Sequence, residues 1–131
     1  MKSCREFLCE GSRILRGAPA AILAAPHVIR SDVSFDEVAE SECYIRGTLT
    51  ITGGYELHLA EYVVTEPQIN RLKYRYHLQA SDNRLLARWD NAPHHPEIKS
   101  HLHHLHKEKG VKETQAMDVE QVLRAVMDFL D

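Results

Sequence analysis

The sequence predicts a small α+β domain, in which an antiparallel, meander-type β-sheet of about five strands carries a helix on one face. Between residues 28 and 90, apolar and polar residues alternate in runs that short turn sequences separate. These turns are too short for crossover helices, so successive strands must run antiparallel. Residues 118–130 instead repeat apolar residues at helical spacing. The length of 131 residues, with 44% hydrophobic and 27% charged residues, fits one globular domain over 1–131.

The predicted elements begin with a short N-terminal helix over residues 3–16, which glycine and proline residues end before residue 27. Thr52-Gly53-Gly54 predicts a hairpin turn, because adjacent glycines adopt positive φ at little steric cost. The C-terminal helix over 118–130 has Asp118 as its cap and Gln121 in position to complete a capping box. The predicted strands are 28–38, 43–51, 55–63, 71–79 and 85–90.

The fourth strand has the strictest alternation and predicts two different surfaces. One side should face the core beneath the C-terminal helix, and it carries Leu72, Tyr74, Tyr76 and Leu78. The other side should carry a basic patch, to which the paired fifth strand adds Arg88: Lys73, Arg75, His77 and Arg88. Such a patch suits the phosphates of RNA or DNA, or an acidic partner protein. The alternative is a solvated face whose charge Glu56 and Glu61 balance.

The charge and the apolar runs narrow the class of protein. A net charge of -3 excludes a strongly basic protein that coats nucleic acid, although it allows a local basic groove. The longest apolar run, residues 18–25, contains a proline and is too short to span a bilayer. The first residues carry charges where a signal peptide would be apolar. We therefore expect a cytoplasmic protein with no membrane contact.

Six of the nine histidines lie between residues 94 and 106, within a segment predicted to be a histidine-rich loop or arm over 92–116. Imidazole is the side chain that most readily exchanges a proton near neutral pH, and it is also the commonest metal ligand. Prolines flank the pair His94-His95 and restrict the backbone there. Asp90 is close enough in sequence to orient an imidazole for acid–base catalysis. The candidate catalytic residues are Asp90, His94, His95, His103 and His104.

The same histidines also predict a metal site. In a strand, His101 and His103 would share one face and His104 and His106 the other, whereas in a helix His101 would pair with His104 and His103 with His106. Either geometry brings two imidazoles together, and further histidines could complete a Zn²⁺ or Ni²⁺ site. The spacing matches no standard zinc motif, so no cofactor is required by the pattern. The candidate ligands are His95, His101, His103, His104 and His106.

Three segments together resemble the TumE-type toxins of prokaryotic toxin–antitoxin systems. These segments are Tyr74-Arg-Tyr-His-Leu-Gln79, Arg88-Trp-Asp-Asn-Ala-Pro-His-His-Pro-Glu97 and His103-His-Leu-His106. The resemblance is strongest over residues 71–106 and weaker from residue 28. One departure is notable: the family's second cluster usually reads aromatic-Pro-His-His-Lys-His, whereas this chain has His101-Leu-His-His-Leu-His106. The resemblance implies a small cytoplasmic protein that binds a cognate antitoxin, with RNA as the target by analogy with other small toxins.

Three hypotheses follow. The first is a toxin that acts on RNA without an obligatory metal through ribonuclease-like cleavage of phosphodiesters, with Lys73, Arg75, Arg88 and Asn91 binding the substrate. The second is a non-catalytic module that binds Zn²⁺ or Ni²⁺ through the histidine-rich segment. The third is a plain interaction domain that docks a partner through a sheet edge or the basic face. The sequence leaves homo-oligomerisation open.

Overall fold

The computed structural model describes residues 27–91, 103–107 and 110–130, which form a seven-stranded antiparallel sheet and one α-helix. The strands lie in the sheet in their sequence order, so each pairs with the next along the chain. Helix α1 spans Val119–Val126, and a 3-10 turn follows at Met127–Phe129. The strands are β1 (Val28–Ala39), β2 (Glu42–Ile51), β3 (Tyr55–Val64), β4 (Asn70–Gln79), β5 (Leu85–Asp90), β6 (His104–Lys107) and β7 (Gly110–Glu113).

The antiparallel meander is confirmed, and the five predicted strands agree with β1–β5 to within one residue at each end. The predicted number of strands is wrong, because β6 and β7 extend the sheet within the segment 92–116 that we expected to be a loop or arm. Each of these strands has only four residues, and so short a pattern does not separate a strand from a helix. The predicted N-terminal helix over 3–16 lies outside the described residues.

Helix α1 packs on one face of the sheet, as the sequence predicts. The Asp118 side chain accepts a hydrogen bond from the Gln121 N–H at 2.8 Å, and the Gln121 side chain accepts one from the Asp118 N–H at 3.0 Å. This capping box satisfies two N–H groups at the start of the helix. The buried helix residues Val119, Val122, Leu123 and Val126 join one core with the inward side chains of β2–β5. The sheet side of that core includes Leu49, Leu57, Tyr76, Leu78 and Trp89.

The opposite face of the sheet is rich in charged and hydroxyl side chains, and we call it the polar face. Residues that pair across antiparallel strands share a face, so the register assigns Arg75, Asp90 and His104 to it together. Leu72 does not follow the predicted alternation and is 44% exposed. The register of β3 and β4 shifts where Tyr62 pairs with Lys73 and Val63 pairs with Arg71, which leaves Leu72 as an extra residue.

The turn between β2 and β3 confirms the predicted hairpin. Gly53 and Gly54 have φ values of +92° and +84°, which residues other than glycine rarely adopt. Among the residues that the structure describes, no helix is long and apolar enough to cross a membrane.

A close backbone approach at Gly47 gives a stability prediction. A Cβ atom at this position would lie 2.7 Å from the carbonyl oxygen of Asp32 on β1, which is shorter than a real contact. We expect Gly47→Ala to lower the free energy of unfolding by about 1–3 kcal/mol, because β1 and β2 must separate to admit the methyl group. Urea unfolding followed by circular dichroism measures this, with Thr50→Ala on the same strand as a control that only removes atoms. An unchanged midpoint for Gly47→Ala would contradict the close approach.

Candidate functional site

The register of β4, β5 and β6 forms two rows of polar residues across the polar face. In one row Arg75 pairs with Asp90, and Asp90 pairs with His104. In the other row His77 pairs with Arg88, and Arg88 pairs with His106. Three neighbouring strands thus bring cations, imidazoles and one carboxylate onto adjacent positions. Backbone hydrogen bonding fixes these positions, so the side chains start from a rigid framework.

The carboxylate of Asp90 is the centre of this arrangement. Its Oδ1 lies 3.3 Å from Nδ1 of His104, and its Oδ2 lies 3.1 Å from Nε2 of His106. Nε of Arg88 lies 3.2 Å from the same Oδ2. The side chains of Asp90 and His104 are 4% and 0% exposed, so this carboxylate is removed from bulk water. A buried carboxylate is stable only when cations or N–H groups compensate its charge, and these three residues are placed to do that.

Asp90, His104 and His106 together form what we call the Asp90 group. One ligand atom from each residue lies within 4.8 Å of the ligand atoms of the other two, so the group could hold a metal ion. The sequence indicated Asp90 as an orienting residue and His104 and His106 as ligands. Both expectations converge on one place, because β6 is a strand and its two histidines lie on the same face. For His104 and His106, β6 therefore adopts the strand alternative.

A shallow groove of about 360 Å³ adjoins the Asp90 group. This volume is near the lower end of the range for small-molecule sites. We call it the cationic groove, because three cationic side chains line it beside aromatic rings. Its lining comprises Tyr44, Ala60, Glu61, Tyr62, Lys73, Tyr74, Arg75, Arg88, Asp90 and Asn91. All four residues predicted to bind substrate, Lys73, Arg75, Arg88 and Asn91, therefore contribute to one groove.

Asn91 contributes differently from the three cations. Its side-chain oxygen accepts a hydrogen bond from the Tyr74 N–H at 3.0 Å, and its amide nitrogen donates to the carbonyl oxygen of Leu72 at 2.9 Å. The side chain therefore takes the place of a strand backbone just beyond the end of β5. It holds β4 and β5 together at the rim of the groove.

The sequence interpretation did not predict that two tyrosines lie in the groove beside the basic residues. Tyr44 and Tyr62 are partly exposed, and their rings meet edge to face with centroids 6.3 Å apart. The sequence interpretation considered Tyr74 and Tyr76 instead, and these two are buried, as expected for the core. Tyr44 and Tyr62 occupy the polar positions of their strands, next to the buried Ile45 and Val63. That alternation was the signal that could have placed them beside the basic residues.

Of the remaining histidine candidates the structure describes His103, which does not belong to the Asp90 group. His103 precedes β6, and its Nδ1 lies 3.0 Å from the Tyr74 hydroxyl while the two rings stack with centroids 5.9 Å apart. Burial, aided by the charge of Arg71, lowers the pKa of His103. His94, His95 and His101 lie outside the described residues, so their predicted roles stay predictions.

His77 lies in the second row of the polar face. Its ring meets that of His58 edge to face, with centroids 6.2 Å apart. Burial lowers the pKa of His77, and the nearby charge of Arg88 lowers it further. His77 therefore favours the neutral form and adds little positive charge to the basic patch.

A second buried carboxylate, Glu61, lies on the face that the helix covers. Although Glu61 contributes to the lining of the cationic groove, it is not the solvated acid that the alternative supposed. It is 3% exposed, and its ion pair within the described residues is with Arg71, at 3.9 Å. Arg71 reaches this face because of the register shift beside Leu72, and it donates a hydrogen bond to the Tyr76 hydroxyl at 2.6 Å. Burial raises the pKa of Glu61 to about 7, although Arg71 opposes the rise.

The fold and the groove define a small α+β domain with a cationic face suited to anions. A family model described as Toxin TumE matches residues 19–131. The chain therefore belongs to the TumE toxin family, and this membership supports a toxin-like role. No curated protein and no solved structure matches the chain.

The raised pKa of Glu61 predicts a pH-dependent stability. The folded state keeps the proton to about pH 7, while the unfolded chain loses it near 4.5, so unfolding becomes easier as pH rises between these values. Glu61→Gln mimics the protonated carboxyl and removes this dependence. We expect the stability of the variant relative to wild type to increase from pH 5 to pH 8 by up to about 3 kcal/mol. Urea unfolding at several pH values measures the difference, and a difference that is constant with pH would contradict the assignment.

Proposed function

We propose that this chain is the toxin component of a toxin–antitoxin pair and that it acts on RNA through the cationic groove. The observation that carries the proposal is the composition of that groove, in which Lys73, Arg75 and Arg88 line one cavity together with Tyr44 and Tyr62. Cations bind the phosphate backbone, and aromatic rings stack on unpaired bases. This combination favours a single-stranded RNA segment over a small anion.

The three cations differ in how firmly they are held. Lys73 and Arg75 are exposed on β4, so their side chains can follow the flexible phosphate backbone of an RNA strand. Arg88 is 30% exposed and paired with Asp90. A guanidinium held by a buried carboxylate keeps its remaining N–H groups in a fixed direction. Arg88 is therefore the cation best suited to stabilise negative charge that develops on a phosphate during cleavage.

Burial and side-chain contacts argue against His103 and His104 as the groups that touch RNA. His104 is fully buried, and His103 is engaged with Tyr74. We assign the acid–base roles to His94 and His95, which follow Asp90 by only four and five residues. One imidazole would accept the proton of a ribose 2′-hydroxyl as its oxygen bonds to phosphorus. The other would donate a proton to the 5′-oxygen as the bond between that oxygen and phosphorus breaks.

Family membership also supports a protein partner, the cognate antitoxin. An acidic segment of an antitoxin would be attracted to the cations that we assign to RNA. Competition for one groove is then the simplest means of inhibition, since a bound antitoxin would exclude RNA. The proposal needs no second site for the antitoxin.

Growth inhibition tests the catalytic assignment. We expect wild-type protein, expressed without an antitoxin, to stop bacterial growth, and His95→Ala to abolish this effect because proton transfer is lost. His58→Ala is the matched control, since His58 lies on the polar face two strands from β5. Circular dichroism of each purified variant shows whether it is folded. Wild-type expression that never slows growth, or a fully toxic His95→Ala, would contradict the proposal.

Salt dependence of binding tests the phosphate contacts. Each phosphate contact that is lost should reduce the slope of log affinity against log salt by about 0.7 for a single strand. We expect Lys73→Ala and Arg75→Ala each to lower this slope for a fluorescent single-stranded RNA. Arg124→Ala on helix α1 is the control, because its 74% exposed side chain lies away from the groove. Equal slopes in all variants would show that RNA binds elsewhere or not at all.

A further inference from the structure

We infer that the Asp90 group is a binding site for one divalent transition-metal ion, for which Zn²⁺ is the natural probe. The site would use one oxygen of Asp90, Nδ1 of His104 and Nε2 of His106 as ligands. It is separate from the assignment of RNA as substrate, because a protein that binds Zn²⁺ without cleaving RNA would retain this site.

The distances between the ligand atoms of the Asp90 group are close to those around a bound Zn²⁺. Zn²⁺ binds imidazole nitrogen and carboxylate oxygen at about 2.0–2.2 Å, so two ligand atoms at corners of a tetrahedron lie about 3.3–3.5 Å apart. The Asp90 oxygens lie 3.3 Å and 3.1 Å from the facing nitrogens of His104 and His106. One ligand atom from each of the three residues lies within 4.8 Å of the other two. Small side-chain rotations would therefore suffice to admit an ion.

The backbone of β5 and β6 holds the three ligand residues in place. His104 is the direct cross-strand partner of Asp90, and His106 is two residues further along β6 on the same face. All three ligands thus project from paired strands, whose positions the backbone hydrogen bonds fix. A preformed site on rigid elements loses little entropy when the ion binds.

Burial and the surrounding charge of the Asp90 group also favour binding of a transition-metal ion. The side chains of Asp90, His104 and His106 are 4%, 0% and 8% exposed, so water competes weakly for the ion. Two neutral imidazoles and one carboxylate form a donor set that suits Zn²⁺ and similar ions rather than Mg²⁺ or Ca²⁺. Arg88, 3.2 Å from Asp90, can hold the second carboxylate oxygen and so orient the ligand. Three protein ligands leave one position of a tetrahedral site for another donor.

The site is also placed to affect the cationic groove. Asp90 belongs both to the metal-binding group and to the lining of the groove. A bound ion would fix the carboxylate with which Arg88 is paired. Metal binding would in this way hold Arg88 in position at the groove.

Metal titration of the full-length protein, without an affinity tag and after chelator treatment, tests the inference. We expect calorimetry to show one Zn²⁺ per chain. We expect His106→Gln to weaken binding by more than the roughly 10–100-fold that loss of an outer-shell partner costs, because a direct ligand is lost. Asp90→Asn is a second ligand variant, in case one of the two fails to fold. His77→Gln is the matched control, since His77 pairs with Arg88 as His106 does but lies outside the group.

A second control separates this site from adventitious binding by the histidine-rich segment. The combined variant His94→Gln, His95→Gln and His101→Gln should bind Zn²⁺ as tightly as wild type, although we expect it to be inactive on RNA. Cobalt substitution adds a spectroscopic readout, because the visible absorption of Co²⁺ reports its coordination. The inference is overturned if wild type binds no Zn²⁺, if His106→Gln and Asp90→Asn bind it unchanged, or if the combined variant loses it.

Discussion

The burial of one carboxylate, that of Asp90, determines how the polar face is organised. A buried negative charge requires compensation, and the strand register brings Arg88, His104 and His106 within 3.3 Å of its two oxygens. Each of these residues therefore has a structural reason for its position before any function is considered. The charge compensation also joins β6 to β5, so a short strand of four residues is held by more than its backbone hydrogen bonds.

Each face of the sheet buries one carboxylate, and the two carboxylates have different neighbours. On the polar face, Asp90 is surrounded by one guanidinium and two imidazoles. On the helix-covered face, Glu61 has one guanidinium at 3.9 Å, and its pKa rises to about 7 because burial outweighs that single cation. The comparison explains why Asp90 is better suited than Glu61 to hold a positive ion: two of its neighbours are imidazoles, a side chain that can itself bind a metal.

The structure shows where the leucine that departs from the histidine pattern lies. Leu105 stands where the pattern given with the resemblance has lysine, and it packs against the core on the helix-covered side. A lysine here would start from the face opposite the cationic groove, because neighbouring strand residues point in opposite directions. The absence of that lysine therefore does not remove a phosphate contact from the groove that we propose for RNA.

The sequence alone determined the first five strands, the capped helix and the separation of a buried face from a basic one, because alternation and helical spacing are local patterns. It also predicted that Asp90 and the histidines carry the chemistry, and that assignment stays a prediction. Only the tertiary structure decided that β6 pairs with β5, that His104 and His106 join Asp90 while His103 turns to Tyr74, and that Arg71 reaches the helix-covered face. These outcomes depend on the register between strands and on one irregularity within β4. A shift of one residue moves a side chain to the other face, and a single strand's sequence does not specify its partner's register.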